Sequence, residues 1–402
     1  MVHVLRLNRV RSLAMPALVA LALSVVPTAV HAQSRAFVVR LGADTSRIEK
    51  IVRTGNTIDG TVVSHLPTTS VLKYAITLNA DGTVASYEQG SYRGDGTPAP
   101  NSPQGVQATG IRIVFASDSV TRSWTANGQP VSRHHAVPKG TLPSIGGSYL
   151  MVEMGIAAAR AAGATSYKLI SATSAQDNPS TVDLVLVSAD SVEVVQQGFR
   201  TGYKLDKNGR IVRGDGSLTT QKLIGVAAGD IDADALAKGW AARDAAGQGV
   251  GVASTRDTAR ATLGGATVTL DYGRPAKRGR EIWGALVPFD TVWRFGANAA
   301  AQLKTDKDID IGGTTVPAGA YTVWLLPTKG TSLLVISKKT VDERGTPLWG
   351  TGYDPSQDLA RIPLAHHSGL AELEERFHVF FQGDLLMLHW DKAGYGVKVK
   401  AK

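Results

Sequence analysis

Short segments of alternating apolar and polar residues, separated by glycine-bearing turns, recur along almost the whole chain. Period-two alternation puts every second side chain on one face of a strand, so such segments are stable only when those faces are buried against each other. Tyr74-Ala75-Ile76-Thr77-Leu78 runs into Asn79-Ala80-Asp81-Gly82 and returns as Thr83-Val84-Ala85-Ser86-Tyr87. Asp-Gly supplies the positive φ that a tight hairpin needs. Tyr203-Lys204-Leu205, Lys207-Asn208-Gly209 and Arg210-Ile211-Val212 repeat the arrangement. Ile113–Val120 and Val185–Val192 echo one another across an Asp-containing turn. Two related halves would give such an echo, and so would an ordinary antiparallel meander; the shortness of the matched stretches favours the meander.

Two helices interrupt this pattern. Leu150, Met151, Met154 and Ala158 recur at helical spacing, predicting a helix from about Gly147 to Ala162, with Gly163 as its stop. A shorter one begins after Asp230 and carries Ala235, Leu236 and Trp240. The small, uncharged stretch Ala245–Gly251 then reads as a linker. Beyond Val252 the strand signals resume: Ala266–Tyr272, Ile309–Ile311, Thr314–Val316, Ala320–Leu325, Leu333–Ser337, Phe377–Phe381, Leu385–Trp390 and Tyr395–Val399. The expected fold class is mainly β. Residues 33–244 form an antiparallel β domain with a packed helix, 245–251 the linker, and 252–402 a β-sandwich or jelly-roll-like domain.

Residues 1–32 read as a signal peptide. Arg6, Arg9 and Arg11 precede the apolar run Leu13–Val26, and the small residues Thr28–Ala32 follow Pro27. The run is broken by Pro16 and falls short of the roughly 20 residues a span requires. The expected locality is therefore the periplasm or the exterior, with no transmembrane span after cleavage. Cleavage would leave 40 basic against 34 acidic residues, a net +6, scattered without a basic run. That balance argues against a nucleic-acid partner. The chain has no cysteine, which excludes disulfides, thiolate catalysis and cysteine-ligated metal.

The most distinctive stretch is Asp271-Tyr272-Gly273-Arg274-Pro275, followed by Gly279-Arg280-Glu281-Ile282-Trp283-Gly284, Leu286-Val287-Pro288 and Trp293-Arg294-Phe295-Gly296-Ala297-Asn298. Pro317–Tyr321 and Gly352-Tyr353-Asp354-Pro355 complete it. From roughly Val252 to Lys402 the chain resembles the bacterial family catalogued as domain of unknown function 2911. The resemblance implies an exported protein and brings no activity, substrate or cofactor. No family is recognised for Gln33–Gln248; its strands with one apolar helix are similar, at the level of fold alone, to the curved sheet of lipoprotein carriers.

Arg274, Arg280 and Arg294 each sit in a glycine-containing turn beside an aromatic residue. Guanidinium forks suit carboxylate, phosphate or sulfate, and stack on indole rings. These arginines, with Trp283, Trp293 and Asn298, are the candidate anion-binding residues; the competing role is pinning loops through carbonyls, Glu281 or Asp290. A hairpin turn at Gly383-Asp384 pairs Phe381 with Leu386, Val379 with Leu388 and His378 with His389. Opposed residues share a face with Cβ atoms roughly 5 Å apart, so His378 and His389 are candidate metal ligands, with His366, His367 or Glu374 as a third; otherwise they are solvent-facing histidines. Tyr74, Ile76, Leu78, Leu150, Met151 and Met154 either line an apolar pocket or fill a core. No nucleophile elbow, His-Glu-x-x-His helix or phosphate-cradling glycine loop occurs. The leading expectation is a non-catalytic binding protein for a small molecule, lipid, glycan or other envelope component, with no cofactor. The alternative is a periplasmic hydrolase, with or without the assistance of a metal.

Overall fold

The computed structural model describes residues 32–99, 108–172, 177–196, 199–217, 219, 222–343, 345–349, 352–368 and 372–402. The predicted leader, apart from Ala32, lies outside these residues. Among these residues the protein is mostly β, with three sheets, two α-helices and one short 3-10 helix, Pro355–Gln357.

Fifteen strands between Gln33 and Ala228 form one sheet. From one edge the order is Gln129–Ala136, Ser119–Ala126, Ala108–Phe115, Val84–Arg93, Ser70–Leu78, Thr57–Ser64, Asp44–Thr54 and Gln33–Leu41. It continues through Ile224–Ala228, Ile211–Asp215, Phe199–Leu205, Ser191–Gln196, Ser180–Ser188 and Ser166–Ile170 to the two-residue edge Leu142–Pro143. All neighbours are antiparallel except the last pair. The two edges are adjacent in sequence, joined by residues 137–141. Five residues reach only about 20 Å, so the sheet must curl until its edges nearly meet. Arg122 reaches across this seam to the Ser171 carbonyl at 3.1 Å.

The curled sheet encloses α1, Tyr149–Ala161. Ser148 caps its start by accepting from the Met151 amide, and Gly163, at φ +62°, follows its end, as the spacing predicts. Leu150, Met151 and Ile156 pack against Phe37, Ile76, Tyr87, Ile113, Tyr167 and Val194 in one core. The hairpin expected at Asp81-Gly82 is present, with Leu78 opposite Val84 and Gly82 at φ +83°. α2, Ala233–Ala245, packs on the outer face, where Trp240 stacks on His65 at 4.4 Å and Asp244 accepts from the Thr69 amide and hydroxyl. Among the described residues no helix is long and apolar enough to cross a membrane.

The remaining two sheets form a sandwich. One runs Ser254–Leu263, Ala266–Pro275, Ala301–Thr305, Gly319–Leu326, Leu333–Ser337 and Asp358–Pro363. The other runs Thr314–Val316, Ile309–Ile311, Ala393–Ala401, Leu385–Asp391 and Glu374–Gln382, with Ala365–Ser368 also on Ala393–Ala401. Their inner faces share one core, including Leu270, Leu303, Val323 and Ile336 from the first sheet and Phe377, Leu388, Trp390 and Val399 from the second. The register of the Gly383-Asp384 hairpin is the expected one: Phe381 opposite Leu386, Val379 opposite Leu388 and His378 opposite His389.

The family-like motif is built around backbone contact. A Cβ on Gly273 would collide with the Ala297 carbonyl, and one on Gly296, at φ +144°, with the Gly273 carbonyl. Because backbone cannot swing aside as a side-chain tip does, Gly273→Ala should cost about 1–3 kcal/mol of stability. Denaturant unfolding read by tryptophan fluorescence measures this, and an unchanged midpoint would contradict it.

The curled sheet and the sandwich meet at a specific seat. The Ala43 amide donates to the Arg278 carbonyl at 2.8 Å, and the Arg278 guanidinium pairs with Asp44 and reaches the Val250 carbonyl at 3.4 Å. Gly42, at φ +63°, leaves no room for a Cβ beside the Arg278 carbonyl. From the sandwich side, Glu375 receives the Arg278 amide at 2.7 Å, and Lys277 pairs with Asp391 at 2.6 Å.

Candidate functional site: a cationic cavity at the junction

Beside this seat lies a cavity of about 600 Å³ whose walls come from both bodies. Arg280, Trp293, Arg294 and Asn298 line it from the sandwich, and Arg47, Lys222, Ser46, Ser64 and Thr219 from the curled sheet. Four cations therefore face one space, and among the described residues no carboxylate lines it.

The chain path explains how Arg294 enters. Trp293 is fixed by paired backbone hydrogen bonds with Leu325, at 2.7 and 2.8 Å. The next residues turn sharply, with positive φ at Phe295, Gly296 and Asn298, which projects Arg294 off the sheet edge. Among the described residues no hydrogen bond or ion pair holds its guanidinium, and its Nε is buried without a partner. Burial pushes the group down from its ordinary value with no counter-charge to oppose it. An arginine remains charged near neutrality even so. An unpaired cation half out of water is costly, so its presence needs a reason.

The neighbouring cations are held differently. Arg280 donates from Nε to the Lys277 carbonyl at 2.9 Å and from Nη2 to the Ala276 carbonyl at 2.6 Å. Lys222 sits at φ +53° and donates to the Ser217 carbonyl at 3.0 Å. Its ammonium is pushed down by burial first, then by Arg294 and Arg280. Arg47 lies against Gly147, where φ is +69° and a Cβ would strike the guanidinium; burial lowers it while nearby Glu49 raises it.

Two of the six anion-site candidates stand outside the cavity. Arg274 donates to the Phe377 carbonyl at 3.2 Å and to Asp257 at 3.1 Å, so it pins two strands. Trp283 donates to the Trp390 carbonyl at 3.3 Å and packs edge-on to Tyr395. Conversely, Arg47, Lys222, Trp349 and Trp390 line the cavity without any local sequence signal. Arg47 reads as one polar position in the strand Asp44–Thr54, and Lys222 reaches the site only through its unusual backbone angle.

The two candidate metal ligands, His378 and His389, are directly opposed, and Gly394 and His367 continue the row across the next two strands. His389 is pushed down mainly by burial; Glu374 opposes this, and His378 and His367 add to it. Among the described residues no group of three or more His, Asp or Glu side chains is arranged to hold a metal ion. The apolar residues of the first sheet and α1 fill space: Tyr74, Ile76, Leu78, Leu150 and Met151 belong to the core. A cavity of about 280 Å³ lies near Leu78, Leu150 and Met154, beside the Arg35–Glu153 ion pair.

Fold and cavity define a mostly β protein with one large core in the curled sheet, another in the sandwich, and a cationic cavity at their junction. The family described as "Protein of unknown function (DUF2911)" matches residues 254–399, and no family model accounts for the curled sheet. No curated protein matches the chain. Among solved structures, a protein provisionally described as AttH from Nitrosomonas europaea aligns at 11% identity over 92% of this chain and 91% of that one. Its TM-score is 0.11, which relates neither fold nor site.

Proposed function

We propose that this is an exported, non-catalytic binding protein whose junction cavity captures an anion. Export is supported by the order of residues 1–32: three arginines, an apolar run, then small residues. The anion is supported by one observation above all. Arg294 projects into a cavity shared with Lys222, Arg280 and Arg47, and none of the described lining residues is acidic. Arg294 and Arg280 repel the Lys222 ammonium in the empty cavity, and a bound anion relieves that repulsion.

The test replaces Arg294 by Met and titrates the full-length mature protein with inorganic phosphate, using sodium chloride at matched ionic strength as the control. Arg294→Met should weaken phosphate binding about 30-fold or more, since a buried charge loses its partner. The ligand-free variant should melt at or above the wild-type temperature, because an uncompensated cation has been removed. A variant that melts far below wild type would make Arg294 a structural residue and end this reading.

Lys222 sets the pH dependence. Its ammonium is lowered in the folded protein, so the folded state holds that proton less tightly than the unfolded chain. Ligand-free stability should therefore rise as pH climbs from the lowered value towards the ordinary lysine range. Phosphate affinity should fall across the same window as the ammonium is lost, and Lys222→Met should remove that slope.

A further inference from the structure

The cavity is not lined by cations alone. Trp349, 46% exposed, and Val252, 51% exposed, present apolar surface to the same space, alongside Trp293, Leu286 and Pro288. Large apolar side chains left this open on a cavity wall mark a surface that a ligand covers. Size points the same way. About 600 Å³ lies within the range of pockets for drug-sized molecules, whereas one water occupies only about 30 Å³ of liquid. An inorganic anion would satisfy the cations and leave the indoles wet.

Charge constrains the head. Lys222 lies close enough to Arg294 and Arg280 for both to act on its ammonium, so three cations converge from opposite walls. Arg47 is partly compensated by Glu49. Arg280 is partly compensated too, by Glu375 and Asp44. Lys222 and Arg294 have no carboxylate acting on them, and two such cations are better matched by two negative charges than by one; a phosphomonoester carries between 1.5 and 2 near neutrality, with three acceptor oxygens.

Resting on the anion-binding reading above, we infer that the ligand is an organic phosphomonoester with a flat apolar body. The head sits between Lys222, Arg280 and Arg294, and the body lies along Trp293 and Trp349.

Calorimetric titration of the full-length mature protein with 2-naphthyl phosphate, 2-naphthyl sulfate and inorganic phosphate tests this. Naphthyl phosphate should bind at least about tenfold tighter than inorganic phosphate, and Trp349→Ala should remove about tenfold of that affinity, the scale of one aromatic stacking contact. Inorganic phosphate should stay within about twofold in the same variant, since Trp349 carries no charge. Trp349→Phe should restore most of the loss. Trp349 is exposed, so its replacement leaves the fold intact, and an unchanged melting temperature checks this. Equal affinities for naphthyl and inorganic phosphate, unaffected by Trp349→Ala, would overturn the apolar body while leaving the anion site standing. Naphthyl sulfate binding as tightly as naphthyl phosphate would overturn the doubly charged head. Absence of Arg294-dependent binding for all three probes would instead bring down the anion site itself.

Discussion

Glu49→Ala should destabilise the protein by about 3–5 kcal/mol, because it strands several buried donors at once. The Glu49 side chain is fully buried. Its carboxylate accepts from the Tyr74 hydroxyl at 2.7 Å, from the Ser148 hydroxyl, and from the Tyr149 and Leu150 amides at 2.6 and 3.4 Å. Those amides open α1, whose first turn has no intrahelical acceptors. One strand residue thus fastens the helix that fills the curled sheet. Glu49→Gln should cost less, about 1–3 kcal/mol, because its amide oxygen still accepts while its NH2 faces backbone donors.

Acid should widen the gap between wild type and Glu49→Gln. Burial pushes the Glu49 carboxyl up from its ordinary value, against the opposing hydrogen bonds from Ser148 and Tyr74. A raised carboxyl binds its proton more tightly when folded. Its stabilisation is present below the ordinary glutamate range and is lost as pH rises through the raised value. Urea midpoints of the two proteins across that window should converge with rising pH, and parallel curves would refute the assignment.

Phe377→Ala should cost a similar amount, about 3–5 kcal/mol, by opening a void in the sandwich core. Phe377 is wholly buried and meets Tyr272, Phe295, Trp293 and Trp390 edge-on, with ring centroids 5.2 to 5.7 Å apart. Trp293 in turn stacks on Trp390 at 5.8 Å, and both indoles line the junction cavity. The substitution should therefore shift tryptophan emission and weaken anion binding, even in denaturant-free buffer where the variant remains folded. Unfolding curves and emission spectra of one preparation read both effects. A loss under 1 kcal/mol would show that the aromatic cluster relaxes into the gap.

Local periodicity made much of the fold legible. The Gly383-Asp384 turn fixes a residue count, so the opposition of His378 and His389 follows by arithmetic. Leu150, Met151 and Met154 mark α1, and Gly163 marks its end. Pairing between Gln33–Leu41 and Ile224–Ala228 has no such marker, because strands almost two hundred residues apart meet only once the sheet has curled. The same limit governs the site. Arg274 and Arg294 look alike in sequence, each in a glycine turn beside an aromatic residue. Only the three-dimensional path gives Arg274 an Asp257 carboxylate and Arg294 none. Glu49 reads as an ordinary polar position between Ile48 and Lys50, since the helix that buries it begins a hundred residues later.

The seat of Gly42 and Ala43 on Arg278 bears on inheritance. A polypeptide comprising residues 254–399 alone would carry Arg280, Arg294 and Trp349, yet would lack Arg47 and Lys222. It would own half a socket. Shorter proteins built on that segment would have to borrow the opposite wall from another chain or recognise something different.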